Sequence, residues 1–417
     1  MVDSLPMENT PDLDLDFVRS QFPAFSEPSL HGQAFFENAG GSYACGQVIE
    51  RLNRYYRRNK VQPYYPSPAS TEAGALMDAS YERLAAYLGV TPGEVYFGPS
   101  TTQNTYVMAQ AALGYLGKGD EIVVTNQEHE ANSGAWRRLD SHGVVIREWE
   151  VDPNTGLLNP QDLDALLCER TRIVAFTHCS NIVGQVNPVR DIARRVRAAG
   201  ALSVVDGVSY AAHGFPDVAA LEADLYLFSL YKTYGPHQGL MVVRDEAAQH
   251  FTNQSHYFNA DEPRKRFVPA GPDHAQVAAA QGIADYFDAV VEHHYDQVPH
   301  DRRAAVAALF SRAEKKRMAP LLDALRAHPR VRIVGPDTPE GRAPTVSIVV
   351  RDMASDALCI ALAQHNVMCG YGHFYAARLL DALGIETAGG VTRLSFVHYT
   401  SAAEIDQAID ALTKCLA

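Results

Sequence analysis

Short apolar runs alternate with longer amphipathic stretches through the middle of the chain. The apolar runs are rich in β-branched and aromatic residues and read "EVYFG", "EIVVTN", "GVVIREWEV", "RIVAFTH", "ALSVVDG" and "ADLYLFSLYKTYGPHQGLMVV". Helical patterns separate them, from about residue 104 and near residues 131–142, 160–169 and 189–199. This alternation predicts βαβ units and therefore a mostly parallel sheet with helices on both faces. Ligands of such a sheet gather at the carboxyl ends of its strands.

The pattern changes beyond about residue 285. A long helical stretch of mixed charge over 293–327 is followed by "VRIVG", "PTVSIVVR", a helix near 356–365, "TRLSFVHYT" and a final helix. This order predicts a smaller α+β domain beside the large one. We therefore expect a large domain over residues 35–285 and a small C-terminal domain over 286–417. Residues 1–34 are expected to form an N-terminal segment that belongs to the small domain or to an interface.

Composition and charge narrow the class of protein. The chain has 417 residues, 47% of them hydrophobic, and a net charge of -13, so it can bury a large core and is a poor partner for nucleic acid. Six cysteines without a CxxC pair argue against a zinc ribbon or a disulfide framework. No metal site is predicted. The acidic start "MVDSLPMENTPDLDLDF" has no leader pattern, and no apolar run reaches 18 residues. A cytoplasmic protein without membrane attachment is expected.

Hydroxyl groups follow the first predicted strand, "EVYFG". Ser100, Thr101 and Thr102 open a helix there, so hydroxyls and free backbone N–H groups converge on one point. This arrangement suits an anion such as a phosphate. Ser and Thr are also ordinary helix N-caps, and that alternative stays open for the motif alone.

Four other predicted strands are followed or closed by a side chain that can take part in chemistry: an imidazole, an amide, a carboxylate and an amine. His129 follows "EIVVTN", where an imidazole can stack on a planar ligand and transfer protons. Asn181 follows "RIVAFTH", and Asp206 closes "ALSVVD", a costly place for a carboxylate without a cationic partner. Lys232 lies past the strand "LYLFS", where burial would lower its pKa. For each residue considered alone, another interpretation remains open: His129 could be a structural histidine, and the Lys232 amine could reach solvent.

The order of these groups is more specific than any one of them. A phosphate cradle, a stacking ring, a hydroxyl partner, a carboxylate and a lysine occur at successive strand ends, the last three about 25 residues apart. Pyridoxal 5'-phosphate needs this set, because the lysine forms its Schiff base and the carboxylate keeps its pyridine nitrogen protonated.

The sequence resembles the class V aminotransferase family of fold-type I pyridoxal-phosphate enzymes, and within it the cysteine desulfurase-like branch. The likeness runs from "FFENAGGS" at 35–42 to "TRLSFVHYT" at 392–400. It implies an α/β fold whose large domain holds a mainly parallel seven-stranded sheet between helices. By position, it assigns cofactor contacts to Thr101, Thr102 and Ser229 for the phosphate, His129 for ring stacking, Asn181 for the ring hydroxyl, Asp206 for the ring nitrogen and Lys232 for the covalent bond.

The resemblance also implies substrate contacts and a partner. Arg393 matches the arginine that clamps the substrate α-carboxylate, and Asn38, Tyr231 and His373 are expected to face the substrate, an amino acid. The family is similar in forming homodimers, with a loop near Gly271 that reaches the phosphate of the other subunit. Pro272 stands where the family has a threonine, so a hydroxyl and a backbone N–H are missing from that loop.

Three further departures concern the reaction. Ser209 stands where desulfurases have a glutamine, and it is expected to contact the cofactor, while Tyr231 stands where they have a histidine. In "CGYGHFYAARLL", Tyr375 takes the place of the sulfur-accepting cysteine. Without that thiolate, no nucleophile holds the sulfur as a persulfide. Cys369, the nearest thiol in sequence, is predicted to be a buried structural residue.

The remaining machinery allows several reactions. With Lys232 as base, and His129 and Tyr375 as further catalytic candidates, the favoured prediction is a C–S lyase that eliminates a β-substituent from a cysteine-derived amino acid. Protonation of the leaving group is assigned to Tyr375, Tyr231 or His373. Transamination, epimerisation, desulfuration through Cys369 or a free thiol, and a catalytically silent partner protein are the alternatives. A nicotinamide dehydrogenase is excluded because no GxGxxG turn follows a first strand.

Overall fold

A computed structural model describes residues 10–417, and residues 1–9, part of the predicted N-terminal segment, lie outside it. The strands are β1 (Ala34–Phe35), β2 (Val95–Gly98), β3 (Glu121–Thr125), β4 (Val145–Trp149), β5 (Thr171–Thr177), β6 (Leu202–Asp206), β7 (Leu225–Ser229), β8 (Gly239–Val243), β9 (Val331–Val334), β10 (Thr345–Val350), β11 (Val367–Met368), β12 (Gly370–Gly372) and β13 (Val391–Ser395).

The α-helices are α1 (Leu15–Ser20), α2 (Gly46–Arg58), α3 (Pro68–Leu88), α4 (Thr101–Ala112), α5 (Gly134–Arg137), α6 (Pro160–Asp164), α7 (Val189–Ala198), α8 (Val218–Leu221), α9 (Asp245–Ala248), α10 (His274–Ala280), α11 (Gly282–His294), α12 (Arg302–Ala327), α13 (Ser355–Ala363), α14 (Ala377–Ala382) and α15 (Ala402–Cys415).

The central sheet confirms the predicted fold class. Its strand order is β2-β8-β7-β6-β5-β3-β4. Only β8 runs antiparallel to its neighbours, whereas the pairs β3/β4, β3/β5, β5/β6 and β6/β7 are parallel. The sheet is therefore the mainly parallel, seven-stranded sheet that the resemblance implies.

Apolar cores cover both faces of this sheet. In β5, Val174 and Phe176 pack into one core, while Ile173 and Ala175 pack into the core on the opposite face, and all four side chains are buried. Strands that are buried on both faces need apolar residues at every position. This is why the central strands read as continuous apolar runs in the sequence.

A second, antiparallel sheet forms near the C-terminal end, in the order β12-β13-β10-β9. A third core lies against it and includes residues of α12, α13 and α15. Ala34 and Phe36 also pack in this core, beside the short parallel pair of β1 and β11. The division of the chain at residues 34/35 and 285/286 stays a prediction.

Three predicted helices differ from the structure. The helix expected over 131–142 is instead the short α5 flanked by 3-10 turns, and the one expected over 160–169 ends at Asp164. The long helix expected over 293–327 is broken between α11 and α12. Pro299 lies in this break and cannot continue a helix, and the Asp301 side chain then caps α12 by accepting the Ala304 N–H at 2.9 Å.

The backbone of β8 packs closely against the backbone at the start of α4. A Cβ atom on Gly239, at the start of β8, would lie 2.4 Å from the carbonyl carbon of Ser100 and 2.5 Å from the nitrogen of Thr101. Only glycine leaves room for this contact. The N-terminus of α4 is thereby held at the edge where β2 and β7 end. Among residues 10–417, no helix combines the length and apolarity that crossing a membrane requires.

We predict that Gly239→Ala reduces the free energy of unfolding by roughly 1–3 kcal/mol, because the added methyl must displace backbone rather than a flexible side chain. Gly93→Ala is the matched control, since a Cβ there meets nothing closer than 3.9 Å. Chemical denaturation followed by tryptophan fluorescence measures both. Equal stability of Gly239→Ala and the wild type would contradict the close approach.

Candidate active site

Strand ends of the central sheet surround a cleft with about 450 Å³ of empty space, part of it open to solvent. Its walls come from loops that follow β2, β3, β5, β6 and β7. The lining residues are Thr101, Thr102, His129, Ala131, Thr177, Cys179, Asn181, Asp206, Val208, Ser209, Ser229, Tyr231 and Lys232. Most residues assigned to the cofactor from the sequence thus share one cleft.

The start of α4 forms the anion-binding end of the cleft. The Ser100 side chain is the N-cap and accepts the Gln103 N–H at 3.1 Å, so the N-cap alternative applies to this residue. The hydroxyls of Thr101 and Ser229 lie 2.7 Å apart and, with that of Thr102, belong to cleft-lining residues. Hydroxyls beside the N-terminus of a 12-residue helix suit a phosphate.

Lys232 ends a 3-10 turn, Leu230–Lys232, directly after β7. Burial, together with the positive charge of Arg393, lowers the pKa of its amine to about 8, and the charges of Asp206 and Glu37 oppose this shift. At pH 7.5 roughly a quarter of such amines are uncharged, against about one in a thousand for an ordinary lysine. Lys232 is therefore suited to act as a nucleophile and a base.

Asp206 ends β6 and is buried. Its Oδ1 accepts the Val208 N–H at 2.8 Å. Burial raises the pKa of the carboxyl to about 6, against the opposing effects of that hydrogen bond and of Lys232. Within residues 10–417 no ion pair involves Asp206, so the carboxylate lacks a close counter-charge. A protonated ring nitrogen would supply one.

Glu128 is a buried carboxyl that the sequence analysis did not single out. It accepts hydrogen bonds from the Thr125 hydroxyl at 2.9 Å and the Asn132 amide at 3.0 Å. Burial and the nearby charge of Asp206 raise its pKa to about 8. A neutral Glu128 leaves Asp206 as the anion of this part of the cleft. Its position one residue before His129 was the available signal.

His129 follows β3 and is held in its neutral form. Its Nδ1 accepts the Ala131 N–H at 3.0 Å, which assigns the ring proton to Nε2. Burial and the charges of Lys232 and Arg393 lower the pKa of the imidazole to about 3. A neutral ring of this kind suits stacking on a planar ligand.

Asn181 connects the cleft to the loop that contains Tyr375. Its Nδ2 donates to the carbonyl oxygen of Phe374 at 2.9 Å, and its Oδ1 is buried without a hydrogen-bond partner among the described residues. The predicted contact with a ring hydroxyl stays a prediction, and one amide hydrogen of Asn181 remains for it.

The Tyr375 loop has a backbone that side chains rarely adopt. Phe374 and Tyr375 have φ values of 46° and 59°. The loop is tied down by the Tyr375 N–H, which donates to His373 Nδ1 at 3.0 Å, and by the Tyr375 carbonyl, which accepts the Glu130 N–H at 2.7 Å. Tyr375 is 67% exposed, and its ring centroid lies 5.1 Å from that of His129. Strained backbone held in this way is typical of functional loops.

Arg393, in β13, is 2% exposed. Its guanidinium lies 3.7 Å from the centroid of the Phe374 ring, and Nη1 donates to the carbonyl oxygen of Asn181 at 3.2 Å. Its Nη2 lies 3.4 Å from Oε1 of Glu37. The Nε of Arg393 is buried without a partner among the described residues. This free donor suits a carboxylate.

The other residues assigned to the substrate lie close by. Buried Asn38 accepts a hydrogen bond from the Tyr399 hydroxyl and lines a small cavity together with Ser209 and Lys232. The Tyr231 ring stacks on His237, with centroids 4.4 Å apart, at the mouth of the cleft. Sequence reasoning missed Glu37, although "FFENAGGS" places it directly before Asn38.

Gly271 does not belong to this cleft within one chain. It lines a separate depression on the surface together with Tyr64 and Phe258. The geometry of a single chain therefore leaves its predicted contact with the phosphate of a partner subunit as a prediction.

Cys369 is only partly buried and lies beside a second thiol. Its Sγ is 3.7 Å from that of Cys359. The hydrogen bond to Cys359, together with burial, raises the pKa of the Cys369 thiol well above its usual range. A protonated thiol is a poor nucleophile, so this environment does not activate Cys369 as a sulfur acceptor.

Taken together, these residues fit pyridoxal 5'-phosphate. The α4 N-terminus offers an anion site, Asp206 lacks a counter-charge, His129 is a neutral ring and Lys232 is an amine with a lowered pKa. Each feature matches a different part of that cofactor.

Comparisons with known proteins agree with this fit. The family model described as aminotransferase class-V matches residues 34–263 and 304–408. An aminotransferase-like protein of Gibberella zeae is 34% identical over 412 residues, which cover 96% of this chain and 98% of that protein. A cysteine desulfurase-like protein of Aspergillus flavus is 29% identical, with 96% and 90% covered.

A solved structure of similar fold is the cysteine desulfurase from Thermococcus onnurineus NA1. It superposes with a TM-score of 0.83 at 24% sequence identity and covers 97% of this chain and 98% of its own. The fold type predicted from the sequence is confirmed by this likeness.

We predict that Lys232 of the cofactor-free protein reacts half-maximally near pH 8 in competitive labelling with acetic anhydride, read by peptide mass spectrometry against N-acetyl-lysine. Because Arg393 lowers this pKa and Asp206 raises it, Arg393→Gln should move the midpoint up and Asp206→Asn should move it down. A wild-type midpoint above pH 10 would show that the amine is not buried as described.

Proposed function

Because this chain belongs to the class V aminotransferase family, whose members use pyridoxal 5'-phosphate, we propose that it is a carbon–sulfur lyase that acts on a cysteine-derived amino acid. Family membership makes it a pyridoxal-phosphate-dependent enzyme. The choice of a lyase is our own inference. A cytoplasmic location also stays a prediction.

One observation carries the proposal: the residues assigned to the cofactor within one chain line one cleft, while Tyr375 stands where the family resemblance expects the sulfur-accepting thiol. The nearest thiol in sequence, Cys369, lies beside the Cys359 thiol, and this contact together with burial raises its pKa, which opposes formation of a thiolate. A protein with this site retains the groups for breaking bonds at Cα but lacks a carrier for the released sulfur. Release of the sulfur as a free thiol or sulfide is the outcome that fits.

When bound, the cofactor withdraws electrons from the substrate Cα, so that a Cα–H bond and a bond to a Cβ substituent can break. Lys232, with a pKa near 8, would accept the Cα proton near neutral pH. Arg393 would orient the substrate through its α-carboxylate. The phenol of Tyr375 or Tyr231, or the imidazole of His373, would donate a proton to the leaving sulfur.

Transamination is the second candidate. It is supported by the relative of Gibberella zeae, which is named as aminotransferase-like. An aminotransferase needs the same cofactor groups but returns the proton to the cofactor instead of expelling a Cβ substituent. The products therefore separate the two functions.

We predict that the purified protein with bound cofactor converts S-alkyl-L-cysteine sulfoxides or cystine to pyruvate without an added keto acid, and that Lys232→Ala forms no pyruvate and loses the visible absorbance band. Both follow because Lys232 is both the covalent anchor and the base. Pyruvate by coupled assay and the absorbance spectrum are the measurements.

Several outcomes would redirect the proposal. Amino-group transfer that depends on a keto acid would make the protein an aminotransferase, and solvent deuterium entering Cα without elimination would make it an epimerase. Sulfide with alanine as the product would indicate desulfuration. A protein that binds no cofactor would be a silent relative.

We further propose a homodimer. Large exposed aromatic side chains lie at the depression that contains Gly271: Tyr64, 60% exposed, and Phe258, 65% exposed, line it, and Tyr257, 89% exposed, precedes Phe258 in the chain. Apolar surface of this kind on a protein with a large core marks an interaction surface. It lies where the family resemblance assigns the contact with the partner's phosphate.

We predict that the protein sediments at twice its chain mass of 45.7 kDa, and that the double substitution Tyr257→Glu and Phe258→Glu converts it to a monomer, because the charges would have to be buried. Ile360→Glu, at an apolar position on α13 that is 60% exposed, should leave the dimer intact. A wild-type monomer at micromolar concentration would contradict the assignment.

A further inference from the structure

Beside Arg393 lies a carboxylate, that of Glu37, to which the proposed reaction gives no task. Its Oε1 lies 3.4 Å from Nη2 of Arg393, the arginine expected to hold the substrate α-carboxylate. The Glu37 side chain is 33% exposed, whereas that of Arg393 is buried. Glu37 also lies near enough to Lys232 for its charge to raise the pKa of that amine.

Two glycines leave space for the Glu37 carboxylate. A Cβ atom on Gly370 would lie 2.6 Å from Oε1 of Glu37, and one on Gly40 would lie 3.0 Å from Oε2. Neither glycine has a left-handed backbone, so room for the carboxylate, and not turn geometry, explains why glycine suits both positions. The backbone of Glu37 is fixed as well, because it forms a parallel bridge with Ser395 at the end of β13.

The charges around Arg393 determine which charge the substrate must carry. Arg393 keeps an unpartnered Nε donor, so it can accept a substrate carboxylate while Glu37 stays in place. That carboxylate would then lie beside a second negative charge. Like charges in a poorly hydrated site repel strongly unless a cation joins them. Lys232 does not serve as this cation, since it must be uncharged to accept the Cα proton.

We propose that Glu37 is a specificity-determining residue that selects an α-amino acid whose side chain carries a second positively charged group. The inference rests on the proposed function, which makes the substrate a cysteine derivative. Its chemical class is then a cysteine whose sulfur substituent bears an ammonium or guanidinium group. Side chains with a negative charge are rejected by the same carboxylate.

Three amino acids of similar length separate the effect of charge from that of size: L-ornithine, L-norleucine and L-glutamate. None has a leaving group at Cβ, so elimination does not disturb their binding. Their dissociation constants for the cofactor-loaded protein are measured by isothermal titration calorimetry, with the visible absorbance of the cofactor as a second readout. We expect ornithine to bind at least about tenfold more tightly than norleucine, and glutamate most weakly.

Glu37→Gln keeps the shape of the side chain and removes its charge. It should weaken ornithine binding by about 10- to 100-fold and change norleucine binding by less than about threefold. Glu386→Gln, which removes an exposed carboxylate seven residues before Arg393, should leave all three constants unchanged. Selectivity for charge is a readout that a merely structural role would not move.

Two results would overturn the inference. One is a wild-type protein that binds norleucine or glutamate as tightly as ornithine, which tests the idea even if Glu37→Gln does not fold. The other is an equal loss for all three ligands in Glu37→Gln, which would show that Glu37 only holds Arg393 in position. Pyruvate from S-(2-aminoethyl)-L-cysteine is assayed separately, so failure of the lyase proposal is distinguishable from failure of the charge selectivity.

Discussion

Charged groups placed in a poorly hydrated cleft are the constraint on which this structure depends. Burial moves the pKa of Lys232 down to about 8 and raises those of Asp206 and Glu128 to about 6 and 8. Each of these groups is pushed toward its neutral form, which is the response expected of charges without full partners. A protonated ring nitrogen at Asp206 and a phosphate at the start of α4, the contacts predicted from the sequence, would complement these groups. Burial of these charged groups without full partners therefore costs free energy, and a bound cofactor would offset part of that cost.

The remainder of the molecule holds these groups in place from several directions. Parallel pairing brings the ends of β3, β5, β6 and β7 to one edge, and the glycine contact between β8 and α4 brings the phosphate site to the same edge. The second sheet contributes Arg393 through β13, and the segment after β1 contributes Glu37. Glu37 and Arg393, more than 350 positions apart in the chain, thus lie within 3.4 Å of each other. The Asn181 amide links the two sides through its bond to Phe374.

Sequence patterns predicted the site residues whose positions depend on strand order. They did not predict the contacts that depend on how the two sheets pack together. Lys232, Asp206 and His129 could be assigned because carboxyl ends of parallel strands share one edge whatever the length of the helices between them. The prediction of a helix over 131–142 is wrong, because 3-10 turns take the place of most of it. The pairing of Glu37 with Arg393 and of Cys359 with Cys369 could not be read from the chain. Both depend on the register of short strands that the apolar pattern does not specify.

The loop with Tyr375 shows how one position can redirect a shared site. Two consecutive residues with left-handed backbone, Phe374 and Tyr375, store strain that the bonds to Asn181, Glu130 and His373 must hold. The Phe374 ring lies against Arg393, so this loop also contacts the arginine that is predicted to hold the substrate carboxylate. Tyr375 and the contact with Arg393 thus belong to one short segment of the chain. A change in this loop would therefore be felt both at Tyr375 and at Arg393.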